Sequence, residues 1–212
     1  MTEVTDATTG SNRYGTWVCP SYARQLGINT YQYKNGKTGA LYREFLDLTR
    51  EQLTALADKG YTNVNIKGLY WMQGENDRNR PDDYAEAFVM FAADLRRDLA
   101  EIVRELTGGD DRGAADMPIF VGTVSYTQNL DHASAESKNQ AFVAMQKTLP
   151  QTVNNCYVVD NSGFVISRYD AERNTADATG LGSDQWHWNQ QDHLTIGQNV
   201  GRAMLRQQGV IE

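Results

Sequence analysis

Apolar residues recur along this chain at two different spacings, which predict helices and strands in alternation. The longest helical pattern follows Pro81, where apolar side chains appear every three or four positions as far as Leu106. Proline at the first helical position loses no hydrogen bond, and the acidic Asp82 and Asp83 suit the positive end of the helix dipole. The pattern therefore predicts a long amphipathic helix that begins at Pro81.

Weaker versions of the same pattern predict four more helices, at residues 18–26, 41–59, 134–149 and 190–206. Short segments in which apolar or aromatic residues recur, bounded by turn residues, predict four strands, at residues 28–33, 64–72, 118–124 and 156–160. A polar loop is predicted at residues 108–115. Strands separated by helices are typical of a parallel sheet covered on both faces, so the sequence predicts the α/β fold class.

The start of the chain differs in composition from the rest. Residues 1–15 are rich in Thr, Asp, Asn and Gly and contain almost no apolar side chain, which predicts an exposed polar arm. Residues 16–212 are numerous enough to bury a hydrophobic core, and their number is typical of one domain. We therefore expect a short arm followed by a single α/β domain.

The charge pattern argues against several classes of partner. The formal net charge is −7 and no segment gathers Lys and Arg, so neither nucleic acid nor a membrane surface is an expected partner. Residues 1–15 lack the basic and apolar regions of a signal peptide, and no run of about 18 apolar residues occurs. The chain as written is expected in the cytoplasm; with a missing N-terminal part it would be secreted or part of an assembly.

The cysteine and histidine residues give no indication of a metal site. Cys19 and Cys156 are far apart in the sequence and are expected to be buried free thiols. No His/Cys pair has the spacing of zinc ligands, and no glycine-rich segment has the pattern of a phosphate-binding loop. We therefore expect neither a metal nor an organic cofactor.

The predicted strand at residues 64–72 runs directly into a polar turn. The residues of that turn are Gln73, Gly74, Glu75, Asn76 and Asp77. Open α/β sheets place their chemistry at the carboxyl ends of strands, so this turn is a candidate site. Glu75 and Asp77 also have a structural interpretation, in which they cap the loop and pair with Arg78 or Arg80.

Residues 71–77 resemble the Trp-x-Gln-Gly-Glu-x-Asp signature of SGNH hydrolases, in the branch of sialate O-acetylesterases and carbohydrate esterase family six. Near the C-terminus, Asp184-Gln185-Trp186-His187 is similar to the Asp-x-x-His of the same family. Weaker similarity extends over about 21–205 and includes Asn139-Gln140-Ala141. The resemblance implies a three-layer α/β/α sheet of the flavodoxin-like type with five strands. The chain provides four, and the first, which precedes the nucleophilic serine, is not evident.

The resemblance implies a catalytic triad that contains His187 and Asp184. An imidazole titrates near neutrality, so His187 can take the proton of a hydroxyl and return it to the leaving alcohol. Asp184 would hold the other ring nitrogen and fix the tautomer. His193 is the competing base, but it lies within the last predicted helix and has Gln190 three residues upstream, where His187 has an aspartate.

The same resemblance implies that the turn at residues 73–77 surrounds the oxyanion and the substrate. Gln73 and Asn76 are alternative hydrogen-bond donors there, with Gly74 and Glu75 beside them. Gly39, in the turn before the helix at 41–59, occupies the approximate region of the second family block, whose glycine amide also helps the oxyanion. The sequence leaves the choice between Gln73 and Asn76 open.

The nucleophile is the least evident part of the triad. Ser11 lies in Gly10-Ser11-Asn12, similar to the Gly-Gln-Ser-Asn of the family, but one residue is missing and the preceding segment is too polar for a central strand. Ser125 and Ser162, at the ends of later strands, are predicted to be hydrogen-bonding turn residues. We therefore expect the strand and its serine to come from a missing N-terminal segment or a partner polypeptide, or, less favourably, from residues 1–11.

The predicted function is that of a carbohydrate O-acetylesterase that removes acetyl groups from a glycan, with this chain as the larger, C-terminal part. The substrate would be an acetylated carbohydrate. The alternative is a noncatalytic SGNH-like subunit that binds a glycan or has a structural role. The missing strand is expected to fill a slot in the sheet between residues 28–33 and 64–72, because a sheet without its central member would leave backbone groups unpaired.

Overall fold

The computed structural model describes residues 15–31, 36–62, 64–107, 112–128, 130, 134–166 and 187–212. The described helices are α1 Pro20–Gln25, α2 Ala40–Asp58, α3 Pro81–Thr107, α4 Arg112–Ala115, α5 Ala135–Thr148 and α6 Gln190–Gln207. All five predicted helices are confirmed to within a few residues. The short α4 forms within the predicted polar loop, and the predicted arm lies outside the described residues except for Gly15.

The three strands of the described sheet are all parallel. They are β1 Leu69–Met72, β2 Ile119–Gly122 and β3 Cys156–Val159, in the order β1-β2-β3. In register, Trp71 lies beside Val121, which lies beside Val158. The central strand β2 is buried along its whole length, as expected for an apolar strand with a neighbour on each side. The α/β class with a parallel sheet flanked by helices, as in the SGNH-like fold, is confirmed.

The strand predicted at residues 28–33 is wrong for its described part, Ile28 to Tyr31, which forms turns. Gly27 has a left-handed φ of 67°, and the Ile28 N–H donates to the carbonyl of Ala23, which ends α1. The Asn29 side chain then accepts a hydrogen bond from the Tyr31 N–H at 2.9 Å. These local bonds replace a strand ladder, because Asn side chains favour such turns. Gln32 and Tyr33 lie outside the described residues.

The predicted slot for a missing strand requires a strand at 28–33 beside the strand that ends at Met72. Residues 28–31 do not form that strand. Within the described part of the chain, β1 is the terminal strand of the sheet, and it begins at Leu69 instead of residue 64. The serine-bearing strand therefore stays a prediction, without the second edge that we expected beside it.

The chain divides into two compact units, each described here by itself. The first contains the described residues up to Gly68 together with Asp82–Pro118, and so has α1, α2, nearly all of α3, and α4. Its core is an aromatic cluster in which the rings of Trp17 and Tyr42 meet Phe91 of α3 edge-on, and Phe88 lies against Phe91. The second contains Leu69–Pro81 and Ile119–Glu212, and so has the sheet, α5 and α6.

A buried carboxylate connects α3 to α1 in the first unit. Asp94 is 2% exposed and accepts hydrogen bonds from the Ser21 N–H and Ser21 Oγ, both at 2.7 Å, and from Arg97 at 2.6 Å. Burial by itself would raise the pKa of Asp94, but these donors outweigh burial and lower it. The nearby Cys19 is a buried free thiol, as predicted, and burial raises its pKa to about 12.

A hydrophobic cluster of the second unit lies between the sheet and α6. Phe120 and Val159 project from β2 and β3 into a cluster with Ile196 and Val200 of α6. Trp188, just before α6, completes this cluster and is 4% exposed. The cluster holds the start of α6 against the sheet. In the part of the chain that the structure describes, no helix is both long and apolar enough to cross a bilayer.

Candidate functional site

Polar side chains gather where the three strands of the second unit end. Gln73 to Asp77 follow β1, Thr123 and Ser125 follow β2, and Asp160 to Ser162 follow β3. Because parallel strands share one direction, their carboxyl ends meet at the same edge of the sheet. This edge is the candidate site, and it is built from one compact unit.

The turn after β1 requires glycine at its second position. Gly74 has a φ of 144°, and a Cβ added to it would lie 2.3 Å from Cε1 of Phe142. Phe142 is a fully buried residue of α5, so its ring has little room to move. One helical turn further, Gln146 donates from Nε2 to the Gln73 carbonyl at 3.4 Å and accepts the Val124 N–H at 2.9 Å. Helix α5 thus holds the ends of both β1 and β2.

The two side-chain amides of the turn, those of Gln73 and Asn76, have different surroundings. Gln73 donates from Nε2 to Oδ2 of Asp77 at 2.7 Å, and the Asp77 N–H donates to the Gly74 carbonyl at 2.9 Å. The Gly74 N–H donates to Oε2 of Glu75 at 3.0 Å. Asn76, by contrast, has an exposed side chain. Asp77 and Glu75 therefore cap the turn, and Asn76 is the amide that the turn presents to solvent.

A buried arginine links this turn to the loop after β2. Arg78 donates from one terminal nitrogen to the Gln128 carbonyl at 3.0 Å and to Oδ1 of Asn139 at 2.9 Å. Asn139, fully buried on α5, donates to the carbonyls of Gln128 and Tyr126 at 2.7 and 2.9 Å. Sequence reasoning did not assign this network; the family-like Asn139-Gln140-Ala141 was the signal for it.

Ser125 and Ser162 are both buried at this edge and both engaged. The Ser125 hydroxyl donates to the Phe164 carbonyl at 2.6 Å and accepts the Thr127 N–H at 3.0 Å. The Ser162 hydroxyl donates to Oδ1 of Asp160 at 2.5 Å. Their predicted role as hydrogen-bonding turn residues is confirmed. Neither presents a free hydroxyl to a substrate.

His187 is exposed and lies directly before the buried Trp188. The Trp188 indole donates to the Phe164 carbonyl at 3.2 Å, which fixes it to the loop after β3. Asn189 then caps α6, since its Oδ1 accepts the Asp192 N–H at 3.0 Å and its Nδ2 donates to the Asp192 carboxylate at 2.6 Å. These contacts hold the backbone on the C-terminal side of His187.

The other sequence-predicted residues have different positions. His193 is exposed on α6, with its ring edge-on to Trp188 at 6.1 Å between centroids. Gly39 lies in the first unit, where it is the N-cap residue of α2 and has a φ of 70°. Its N–H donates to the Gly15 carbonyl at 3.0 Å. A role of Gly39 toward an oxyanion would require that bond to be given up. Asp184 and Ser11 lie outside the described residues.

An ion pair lies at the end of β3, at the edge of the candidate site. Lys147 of α5 donates to Oδ2 of Asp160 at 2.6 Å, and both side chains are partly exposed. Partial burial would raise the pKa of Asp160, but the bonds from Lys147 and Ser162 outweigh it and lower the pKa from 3.8 to about 2. The same pair raises the pKa of Lys147.

We expect Asp160 to make the free energy of unfolding depend on pH in the acidic range. Because its pKa is lower in the folded chain than in the unfolded one, its contribution is complete above about pH 4 and is lost as the pH falls toward 2. Asp160→Asn should therefore lower the urea midpoint at pH 5 and differ little from the parent at pH 2. In a Lys147→Gln background, Asp160→Asn should lower the urea midpoint at pH 5 by a smaller amount. An Asp160→Asn penalty that is equal at both pH values would contradict the ion pair.

The fold and the site define an α/β protein of the SGNH-like type, with its chemical groups at the carboxyl ends of a parallel sheet. The chain belongs to the family of carbohydrate esterases described as "Carbohydrate esterase, sialic acid-specific acetylesterase", whose model matches residues 25–206. No curated protein and no solved structure matches the chain. The matched range contains the turn after β1 and His187. A function of the carbohydrate acetylesterase type follows from this membership.

Among the described residues, no group of three or more His, Cys, Asp or Glu side chains is arranged to hold a metal ion. The groups at the strand ends are instead amides, hydroxyls and carboxylates that bond one another. Such groups can donate to a carbonyl oxygen and exchange protons with a hydroxyl. This inventory is compatible with ester chemistry that uses a histidine base.

Proposed function

We propose that this chain removes acetyl groups from a glycan by serine-hydrolase chemistry, with His187 as the base and Asp184 as the residue that orients it. The observation that supports the proposal is the position of His187. It directly precedes Trp188, which is bonded to the loop after β3, in the same unit that presents the turn of Gln73 to Asp77. A base and an oxyanion donor have to approach one substrate, and this unit contains both segments.

In the proposed reaction, a serine hydroxyl attacks the carbonyl carbon of the acetyl ester and its proton passes to His187. The tetrahedral intermediate collapses when the sugar oxygen leaves and takes that proton. Water then attacks the acetyl-serine, again giving a proton to His187, and acetate leaves as the serine is restored. Asp184 favours the imidazole tautomer that can accept the serine proton.

For the oxyanion we propose Asn76 as the principal donor. Its side chain is exposed, whereas Gln73 uses its amide nitrogen to bond Asp77. A preset donor of this kind contributes about 3 kcal/mol to the transition state. Gln73, Gly74 and Glu75 form the wall around it. Gly39 is a weaker candidate, because its N–H already donates to Gly15.

For the nucleophile we propose Ser11, a serine on a segment that precedes this chain, or a serine from a partner polypeptide. Ser125 and Ser162 are weaker candidates, because their hydroxyls donate to the Phe164 carbonyl and to Asp160. The acetylated sugar would be a sialic acid or another acetylated glycan. The first is suggested by the description of the family alone.

The test is an ester-hydrolysis assay on the purified chain, alone and with any polypeptide that co-purifies. We expect turnover of p-nitrophenyl acetate and of an O-acetylated sialic acid in at least one of these samples. A fluorophosphonate probe followed by peptide mass mapping should then identify the labelled serine. If neither sample hydrolyses either ester and no serine is labelled, while glycan binding persists, the noncatalytic glycan-binding subunit is the correct assignment.

A further inference from the structure

The first unit carries an exposed aromatic ring whose position is fixed from one side. Tyr31 is 75% exposed, the highest exposure of the large apolar side chains in the described part of the chain. The guanidinium of Arg43 lies over its ring, 4.7 Å from the centroid. A cation over the face of an aromatic ring is an attractive contact. The ring is therefore held on one face while most of its surface stays in solvent.

Arg43 is itself anchored, so the contact is not that of a mobile surface side chain. Its two terminal nitrogens donate to the carbonyls of Thr38 and Gly36, at 3.0 and 2.6 Å. The backbone at Tyr31 is fixed by the bond from its N–H to the Asn29 side chain. Both partners of the ring contact are thus ordered by bonds to a turn.

We propose that Tyr31 is a sugar-binding platform, on which a pyranose ring of the glycan stacks against the face not covered by Arg43. The proposal rests on the proposed function, since the carbohydrate substrate selects a sugar among the ligands of an aromatic face. The C–H bonds of a pyranose carry partial positive charge and suit the negative face of an aromatic ring. A ring fixed before binding loses little conformational freedom when the sugar arrives. Tyr31 would bind the sugar and Arg43 would position the ring of Tyr31.

The structure offers a matched control in Tyr61. Tyr61 belongs to the same unit, is 60% exposed, and is a tyrosine without an arginine over its ring among the contacts described. A nonspecific contribution of exposed tyrosines to binding would affect both residues equally. Tyr31→Trp retains a stacking face, Tyr31→Ala removes it, and Arg43→Lys keeps the charge but loses the planar fork that spans two carbonyls.

The first measurement is saturation-transfer NMR and calorimetry with non-acetylated sialic acid and a neutral pyranose oligosaccharide. The second is the hydrolysis of p-nitrophenyl acetate, which reports on esterase activity alone. For Tyr31→Ala we expect about a tenfold loss of saccharide affinity. Hydrolysis of p-nitrophenyl acetate should be unaffected. Tyr31→Trp and Tyr61→Ala should behave like the parent, and Arg43→Lys should lose a few-fold in affinity.

The outcomes separate the platform from the proposed function. Active enzyme whose saccharide affinity is the same in Tyr31→Ala and the parent would overturn the platform and leave the esterase intact. Saccharide binding that depends on Tyr31 in a chain without any esterase activity would support the platform and overturn the proposed reaction. Equal losses of affinity in Tyr31→Ala and Tyr61→Ala would also overturn the platform, because stacking on the fixed ring would then not be specific.

Discussion

Replacement of His187 by alanine is expected to lower kcat for an acetyl ester by about 10⁶-fold, in whichever sample shows esterase activity. Without the imidazole, the serine proton has no acceptor and the leaving sugar oxygen has no donor. The side chain is exposed, so its removal should leave folding nearly unchanged. The measurement is kcat for p-nitrophenyl acetate, with the urea midpoint as the check on folding.

His193→Ala is the matched control for this prediction. Both histidines are exposed, and His193 lies within α6 only six positions further along the chain. We expect this variant to lose less than tenfold in activity. A small loss of activity is expected because the His193 ring packs edge-on against Trp188, the residue that follows His187. Equal losses from the two alanine variants would contradict the assignment of His187 as the base.

Asp184→Asn is the companion variant, chosen because an amide keeps the size of the carboxylate. With an asparagine partner the imidazole favours the wrong tautomer, and the serine-protease example in which this change costs about 10⁴-fold gives the scale. The urea midpoint should stay close to that of the parent. Activity within a few-fold of the parent would show that another group orients His187.

The second large effect is expected on stability, from Gly74→Ala in the turn after β1. A methyl group at this position would meet Cε1 and Cζ of Phe142 at 2.3 and 2.7 Å, and the φ of 144° is strained for any residue with a side chain. Overpacking of a core and backbone strain each cost about 1–3 kcal/mol, so the free energy of unfolding should fall by about 2–5 kcal/mol. Urea unfolding followed by circular dichroism measures it.

Two further variants make the origin of this loss testable. Gly163→Ala, in the same unit, would meet no atom within 4 Å and should change the free energy of unfolding by less than about 0.5 kcal/mol. Phe142→Leu, combined with Gly74→Ala, should recover part of the loss, because the shorter side chain leaves room for the methyl group. Strict additivity in this double-mutant cycle would mean that the ring is not what excludes the methyl group.

The helices of this chain were predictable because their signals are local. The recurrence of apolar residues after Pro81, with Asp82 and Asp83 in the first turn, specifies α3 without reference to the rest of the molecule. The apolar runs that gave β2 and β3 are similarly clear. The strand predicted at 28–33 is wrong for residues 28–31, because apolar and polar residues that alternate over so few positions do not exclude turns. Gly27 and Asn29 had the residue types that form them.

The candidate site was predictable as a motif, and its internal arrangement was not. The residues at 71–77 and at 184–187 identify the family, and the matched range confirms that membership. Which amide of the turn is presented to solvent depends on Asp77, whose carboxylate accepts from Gln73. No local pattern specifies which amide is exposed. A buried carboxylate needs hydrogen-bond donors, and the fold decides which donors lie within reach.

The class of the protein, the succession of its helices and the candidate residues of the site were evident from the sequence, since periodicity and motif are properties of neighbouring positions. The folded structure was needed to show that Phe142 leaves room for no side chain at Gly74, that Asn139 and Arg78 join two loops, and that the Ser125 hydroxyl is hydrogen-bonded. These contacts join residues far apart in the chain. Their strength depends on close packing and on the exclusion of water, which arise when the chain is folded.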